Sequence, residues 1–310
     1  MKFVTSVDIA RAEKKISYKD RILLLGSCFA DNIGAKFGEY YYQTTVNPYG
    51  TLYNPASIAF ALKNSKQTVD HSERLIYHNG LWHSLAHHGC FSHTDKEILA
   101  QRCEIANRVM YNALQEASVV VITFGTAWVY EYEGQVVANC HKLPANRFTR
   151  RSMTVNEIVE LWQPIVASMP NKQWVFTVSP IRHIKDGLHA NQLSKAILLQ
   201  AIDQLCQLSI ACCQPSYFPA YEIMMDELRD YRFYAEDMVH PTALAVEYIW
   251  QKFVDAYITV DTQSEMKTLH QLWRDRQHRC LHPNSQDAQV FNEKLNQRIQ
   301  QVQSVYPWIE

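Results

Sequence analysis

The chain has 310 residues, 47% of them hydrophobic, and its 30 basic and 31 acidic residues leave a net charge of −1. A chain of this length can bury a large core. The near equality of positive and negative charges argues against a protein that binds nucleic acid or an anionic membrane. No apolar stretch reaches the length of a membrane span, and charged residues interrupt the N-terminal segment where a signal peptide would be apolar. We therefore expect a cytoplasmic protein with reduced thiols.

Short charge-free runs that are rich in Val, Ile, Leu and Phe are typical of strands buried on both faces of a parallel sheet. Such runs occupy residues 22–25, 119–124 and 174–178, and one more strand is expected at 217–223. Helical patterns separate or follow them at residues 96–115, 155–168, 191–212, 242–256 and 287–303. This alternation predicts a doubly wound α/β fold.

Two segments interrupt the alternation, residues 47–53 and 75–93, which are rich in turn residues, aromatics and histidine. Long irregular connections in a compact domain are often functional, so we expect them on the substrate side. Residues 128–140 are predicted to form a hairpin. In this interpretation residues 1–260 form the α/β domain, and residues 261–310 form a C-terminal helical extension packed on it.

A potential nucleophile follows the first predicted strand. Gly26 allows a tight turn, after which Ser27 or Cys28 lies at the start of a helix, where backbone N–H groups are unpaired. The amide of the nucleophile itself would then donate to an oxyanion. The helix N-terminus is expected to lower the pKa of a Cys28 thiol, although Asp31 would oppose a thiolate if it faced the same space. The alternative is structural, with Ser27 as a helix cap and Cys28 as a small buried residue.

The run Asp237-Met238-Val239-His240-Pro241 indicates a paired acid and base. Three residues of separation on a turn allow the Asp237 carboxylate to reach one ring nitrogen of His240, which leaves the other nitrogen as a base. Pro241 suits the first turn of the helix that follows. The alternative is that Asp237 caps that helix and His240 lies in an interface.

The run Gly26-Ser27-Cys28-Phe29-Ala30 resembles the signature of the GSCFA domain family, which is placed among the SGNH (GDSL-like) hydrolases. Residues 47–55, 82–84 and 179–183 are also similar to that family. The resemblance implies a three-layer α/β/α sandwich with a mainly parallel sheet of the flavodoxin-like SGNH type. It also implies ester or acyl chemistry on a small-molecule or glycan acyl ester, without a metal or an organic cofactor.

By this resemblance Cys28 aligns with the nucleophile, with Ser27 as the fallback, and Asp237 and His240 align with the acid and base. A cysteine nucleophile favours thioester-forming acyl transfer at least as much as hydrolysis. The first hypothesis is therefore an esterase or O-acyltransferase. The second is a non-catalytic SGNH-fold binding module for a glycan or an acylated ligand. The acyl group, the acceptor and the oligomeric state are not specified.

The resemblance also assigns the oxyanion site. Gly50 aligns with the glycine that donates its N–H to the oxyanion, and Gly125 begins a block whose expected asparagine is missing from this chain. One donor of this kind is worth about 10²- to 10³-fold in rate. The candidates to replace it are Asn47, Asn54, Arg182 and His183.

Two further groups of residues are candidates for binding. Arg182 follows the strand predicted at 174–178, where it would bind a carboxylate or phosphate, or else lie in a solvent-facing loop. The second group is a cluster of histidines. Metal ligation is disfavoured there, because Gly89 and the aromatic context do not favour a helix. Packing or a surface position is favoured, ahead of substrate contact, for which His88 is the candidate. The cluster consists of His83, His87, His88, Cys90 and His93.

Overall fold

The computed structural model describes residues 5–65, 74–208 and 214–309. Its strands are β1 (Arg21–Gly26), β2 (Gln43–Val46), β3 (Leu75–His78), β4 (Leu81–Ser84), β5 (Val119–Phe124), β6 (Trp128–Tyr132), β7 (Gln135–Val137), β8 (Thr149–Ser152), β9 (Gln173–Val178) and β10 (Ser216–Phe218). Its α-helices are α1 (Cys28–Glu39), α2 (Pro55–Asn64), α3 (Lys96–Glu116), α4 (Val155–Ala167), α5 (Gly187–Cys206), α6 (Ala220–Glu222), α7 (Ala243–Tyr257), α8 (Val260–Gln277) and α9 (Gln286–Val305). Short 3-10 turns occupy Gly89–Phe91, Ala145–Arg147, Ile184–Asp186 and Tyr231–Phe233, and Ile223–Glu227 is π-helical.

A five-stranded parallel sheet in the order β10-β9-β5-β1-β2 forms the centre of the molecule. Numbered among themselves, these strands run 2-1-3-4-5, the order of a flavodoxin-like sheet. The expected α/β fold is confirmed at this level. β1, β5 and β9 are buried along almost their whole length, as their charge-free sequences predict.

Two apolar cores lie on opposite faces of the sheet, because alternate residues of a strand point to opposite sides. Leu23 and Val120 belong to one core, and Leu24 and Val121 belong to the other. The first core includes side chains of α2, α3, α4 and α5, and the second includes side chains of α1, α7 and α8. Helices therefore cover both faces, consistent with a three-layer α/β/α arrangement.

The C-terminal helices contribute to the second core. Met266 and Leu269 of α8 and Ile309, beyond the end of α9, are buried in it. In the part of the chain that the structure describes, no helix combines the length and the apolar character needed to cross a bilayer.

Most predicted elements are confirmed, and the exceptions have local causes. The strand expected at 217–223 ends at Phe218, because Pro219 has no N–H for a ladder, and α6 follows it. The helix expected at 191–212 begins earlier, at Gly187, and ends at Cys206; residues 209–212 of that prediction lie outside the described residues. The hairpin at 128–140 is confirmed by β6 and β7, and β8 adds an unpredicted third strand.

Candidate active site

The carboxyl ends of β1 and β5 meet at the point where the strand order reverses. β2, which follows β1 in sequence within this sheet, lies on one side of the pair, and β9, which follows β5, lies on the other. Open α/β sheets bind ligands in the crevice at such a switch point. The residues that directly follow β1, β5 and β9 are therefore expected to line such a crevice.

The turn after β1 requires glycine and buries the serine that follows. Gly26 has φ of +138°, and a Cβ atom there would lie 2.1 Å from the carbonyl oxygen of Thr123 in β5. Ser27 is 1% exposed, and its Oγ accepts a hydrogen bond from the N–H of Phe29 at 3.3 Å as the cap of α1. Its predicted role as a helix cap is confirmed. Ser27 is thus a buried structural residue, whereas the side chain of Cys28 is only partly buried.

Cys28, His240 and Asp237 form a connected series across the two motifs. The Sγ atom of Cys28 lies 3.9 Å from Nε2 of His240, and Nδ1 of His240 lies 2.6 Å from Oδ2 of Asp237. The side chains of His240 and Asp237 are about half exposed, at 49% and 51%. The fold therefore brings together two motifs that are separated by 212 positions, at a surface open to solvent.

A tight turn fixes the carboxylate of Asp237. Its Oδ1 atom accepts hydrogen bonds from the N–H groups of Val239 and His240, each at 2.9 Å, while Met238 takes a left-handed conformation. These bonds and the one to the imidazole hold the pKa of Asp237 down at about 2. The carboxylate is thus ionised at neutral pH and holds the proton of His240 on Nδ1, with Nε2 directed at Cys28.

The helix after this turn is capped by another residue. Thr242 accepts the N–H of Ala245 at 3.3 Å as the cap of α7. Asp237 is therefore free of the capping role that was its alternative interpretation. Pro241 precedes the cap and bridges to Tyr234, so the expectation that it lies in the first helical turn is wrong.

The pKa of the Cys28 thiol is raised, which contradicts the expectation that the helix N-terminus lowers it. Burial is the largest cause, and the negative charge of Asp31 adds to it. The backbone N–H groups of Cys28 and Phe29 and the charge of Lys195 act in the opposite direction but are outweighed. Cys28 is thus a thiol at neutral pH, and it would need a base to act as a nucleophile.

We expect Asp31→Asn to raise the rate at which iodoacetamide labels Cys28 at pH 7 by about three- to tenfold. The thiolate fraction rises tenfold for each unit by which the thiol pKa falls, and this substitution removes a neighbouring negative charge. Peptide mass spectrometry of timed samples measures the rate, with exposed Cys90 as the internal reference. Glu116→Gln, which removes an exposed carboxylate paired with Arg21, is the control, and equal rates in both variants would contradict the prediction.

The Gly50 amide, expected to hold an oxyanion, is already bonded within the protein, and so is the amide of Gly125. The N–H of Gly50 is donated to the carbonyl of Asn47 at 2.7 Å, and the N–H of Gly125 to that of Tyr53 at 2.8 Å. The Gly50 amide is therefore not free to donate to an oxyanion in this conformation. The cause is local, because Asn47 to Gly50 form a tight turn with Gly50 at φ of +76°.

Both asparagines considered as replacement donors make hydrogen bonds within the protein. Asn47 is bonded at both ends of its amide, since Oδ1 accepts from the N–H of Gly26 at 2.8 Å and Nδ2 donates to Asp31 at 2.7 Å. Asn54 is buried, and its Oδ1 caps α2 by accepting from the N–H of Ser57 at 2.8 Å. The side-chain donor of Asn47 is thus engaged with Asp31, while a donor role for Asn54 stays a prediction.

The histidine cluster is a set of separate structural contacts. His83 contacts Ser92 through Nδ1 at 2.7 Å, and His87 stacks on the ring of Tyr49. His88 accepts the N–H of Cys90 and lies behind Gly50, where an added Cβ would be 2.3 Å from that of His88. Across the described ranges, no three His, Cys, Asp or Glu side chains are arranged to hold a metal ion. His88 thus supports the Gly50 turn.

Lys195 of α5 is a buried residue near Cys28, and the sequence motifs did not predict it. It is 1% exposed, and its Nζ donates to the carbonyl oxygens of Gly125 and Ser179, both at 2.7 Å. These carbonyls directly follow β5 and β9, so one side chain ties together the two strand ends beside Cys28. Burial lowers the pKa of Lys195 to about 7, and the charge of Cys28 acts against that shift.

A sequence signal for Lys195 did exist. Asn191, Lys195 and Leu198 recur at helical spacing and are all buried, so the lysine lies on the inner stripe of α5. A lysine on such a stripe is rarely buried without a partner.

Arg182 and His183 lie on the loop after β9. The pKa of His183 is lowered to about 4, chiefly by burial and then by the positive charge of Lys195. Its backbone N–H is held by Asn191 at 2.9 Å, and its ring packs edge-on against Tyr53. His183 is therefore a neutral ring beside the site. Arg182 is directed towards the loop that carries His240.

The fold and the site define an α/β protein in which a cysteine at the switch point of the parallel sheet lies beside a histidine and an aspartate from the turn before α7. The GSCFA family model matches residues 21–253, and the chain belongs to the GSCFA family. The resemblance predicted from Gly26-Ser27-Cys28-Phe29-Ala30 is thus confirmed at the level of the family. No curated protein and no solved structure shows a significant match to the chain.

Proposed function

We propose that the protein is an acyl-ester-handling enzyme of the SGNH type, an esterase or an O-acyltransferase, with Cys28 as nucleophile, His240 as base and Asp237 as the residue that orients the base. The observation that carries the proposal is the 3.9 Å separation between Sγ of Cys28 and Nε2 of His240, combined with the 2.6 Å contact between His240 and Asp237. A nucleophile, a base and an orienting acid in this order are the parts of a catalytic triad.

The reaction proceeds in two steps. In the first, Sγ of Cys28 bonds to the carbonyl carbon of the ester, His240 accepts the thiol proton on Nε2, and that proton passes to the oxygen of the leaving alcohol as the C–O bond breaks. In the second, water or an acceptor hydroxyl attacks the thioester, gives its proton to His240, and breaks the bond to Sγ, which recovers the proton. The substrate is a small-molecule or glycan acyl ester.

The oxyanion is held first by the amide of Cys28. Cys28 is the first residue of α1, where amides have no intrahelical acceptor and the helix dipole favours negative charge. Gly50 becomes a second donor only if substrate binding opens its turn with Asn47. A thiol nucleophile must also stay reduced, which fits a cytoplasmic enzyme.

Brief incubation with p-nitrophenyl acetate tests the proposal. We expect an acetyl group on Cys28, detected by peptide mass spectrometry after acid quenching, because the thioester is the required intermediate. The control is Cys280→Ala, which removes a free thiol from the segment between α8 and α9 and should keep the acetyl-Cys28 peptide. Release of nitrophenol by Cys28→Ala at the wild-type rate would refute Cys28 as the nucleophile.

The second candidate function is a non-catalytic binding module for a glycan or an acylated ligand. It is favoured by the internal bonds of the Gly50 and Gly125 amides, which leave fewer donors for an oxyanion than hydrolysis of an ester normally uses. This alternative predicts no acetyl-Cys28 peptide and no effect of Cys28→Ala on ester cleavage.

A further inference from the structure

Arg182 lies next to the loop that carries His240. Its guanidinium carbon is 5.8 Å from the centre of the Tyr234 ring, and Tyr234 forms a bridge with Pro241, the residue after His240. The loop of Arg182 leaves β9 at the same edge of the sheet as the turn that carries Cys28. Arg182 is therefore a cation at the border of the proposed reaction site.

The hydrogen-bonding capacity of Arg182 is poorly used. Its Nε atom is buried without a hydrogen-bond partner, and Nη2 is directed at Sδ of Met225, 3.1 Å away, which is a weak acceptor. The hydroxyl of Tyr234 is directed at the same sulfur, at 3.9 Å. Two polar donors thus converge on a thioether, where an oxyanion would be a far stronger acceptor.

Neighbouring arginines are paired with carboxylates, and Arg182 differs from them. Arg150 contacts Asp186, and Arg151 contacts Glu131 at 2.8 Å. None of the ion pairs formed by the described residues includes Arg182. The acceptors within reach of the Arg182 guanidinium are a thioether and a phenol, and neither carries a negative charge. A partly buried guanidinium without an anionic acceptor is costly, so a structure retains it most readily where a ligand supplies the missing negative charge.

We propose that Arg182 binds a carboxylate or phosphate group of the substrate, so that the protein acts on acyl esters that carry an anionic group. The planar fork of a guanidinium matches two oxygens of either anion. This inference rests on the proposed function for the position of the reacting carbonyl, but anion binding at Arg182 can be measured without turnover.

The test labels Cys28 in the full-length protein with matched charged and neutral reagents. N-iodoacetyl derivatives of glycine, β-alanine and γ-aminobutyrate carry a carboxylate at increasing distance from the reactive carbon, and N-iodoacetyl phosphoethanolamine carries a phosphate. Their neutral partners are the corresponding carboxamides and N-iodoacetyl ethanolamine. We expect at least one charged reagent to label Cys28 about tenfold faster than its neutral partner, because a charge-assisted contact holds it in place. The charged reagent with the largest rate excess over its neutral partner shows whether the site prefers a carboxylate or a phosphate.

Variants assign this preference to Arg182. In Arg182→Gln the excess for the charged reagent should disappear, and in Arg182→Lys part of it should remain. Arg229→Gln, which removes an exposed arginine paired with Asp226, is the matched control and should keep the full excess. Comparing the charged and neutral reagents on the wild-type protein tests the inference even if a variant does not fold. Equal labelling by charged and neutral reagents in the wild-type protein, or an excess that survives in Arg182→Gln, would overturn the inference.

The two proposals fail separately. Formation of acetyl-Cys28 without a preference for charged reagents would refute the anion site and keep the enzyme. A preference that depends on Arg182, with no acyl group ever found on Cys28, would keep the anion site and refute the enzyme.

Discussion

Replacing His240 with alanine is expected to lower kcat/KM for an activated ester by about 10³- to 10⁴-fold, the upper range for loss of a general base. The pKa of the Cys28 thiol is raised, so at neutral pH the attack on a carbonyl needs a base at the sulfur. Nε2 of His240, 3.9 Å from Sγ, is the base that the geometry offers. Steady-state hydrolysis of p-nitrophenyl acetate measures the loss.

Two further variants make this result specific. His189→Ala removes an exposed histidine of α5 and should leave kcat/KM unchanged. Asp237→Asn can still accept the two backbone N–H groups of its turn, but its amide favours the wrong tautomer of His240, so a loss of up to about 10⁴-fold in kcat is expected. A His240→Ala protein with wild-type kcat/KM would contradict the assignment of the base.

The sequence was sufficient for the parts of the site that depend on local rules. Strands at 22–25, 119–124 and 174–178 are charge-free because both faces of a parallel sheet are buried, so they were readable from composition. The turn at Gly26 follows from its position between a strand and a helix. The approach of Asp237 to His240 follows from three residues of separation on a turn.

Two elements that were not predicted also have local sequence signals. Asn79-Gly80 is a strong hairpin signal, and it joins β3 to β4 in a segment that was expected to be irregular. Asn54-Pro55 is a cap followed by a first-turn proline, and it begins α2, which was not predicted. Both elements therefore follow from local sequence rules.

The remaining features depend on long-range geometry. The sign of the pKa shift of Cys28 is decided by its burial and by the orientation of Asp31, both set by packing of α1. The internal bond of the Gly50 amide depends on how its loop closes onto Asn47. Lys195 is brought beside Cys28 only because α5 returns across the sheet to β5 and β9. None of these follows from residue types or from spacing along the chain.

Lys195 is expected to make the free energy of unfolding increase as the pH rises above 7. Burial lowers its pKa to about 7 from the ordinary value of 10.5. Between these values the unfolded chain binds a proton that the folded protein does not, so the slope is positive and approaches about 1.4 kcal/mol per pH unit. Below pH 7 both states are protonated and the slope vanishes.

Urea unfolding of Lys195→Met isolates this effect. Cys28→Ala is the background for every protein in the comparison, because the charges of Cys28 and Lys195 interact. Between pH 7 and 9, the unfolding free energy of the protein that retains Lys195 should rise by about 2 kcal/mol relative to that of Lys195→Met. Lys185→Met, which removes an exposed lysine from the preceding loop, is the control. A difference that stays constant with pH would contradict a lowered pKa at Lys195.

The same lysine explains how a buried thiol can support a negative charge. A neutral amine has two N–H groups, and the carbonyls of Gly125 and Ser179 accept both. In the proposed reaction His240 removes the proton of Cys28. A proton bound by Lys195 then places a positive charge near the sulfur, and this interaction favours the thiolate. The stability lost by burying Lys195 is therefore greatest at pH 7 and below, where its positive charge is present beside Cys28. In that pH range Lys195→Met should slow the labelling of Cys28 by iodoacetamide, because the substitution removes a charge that favours the thiolate.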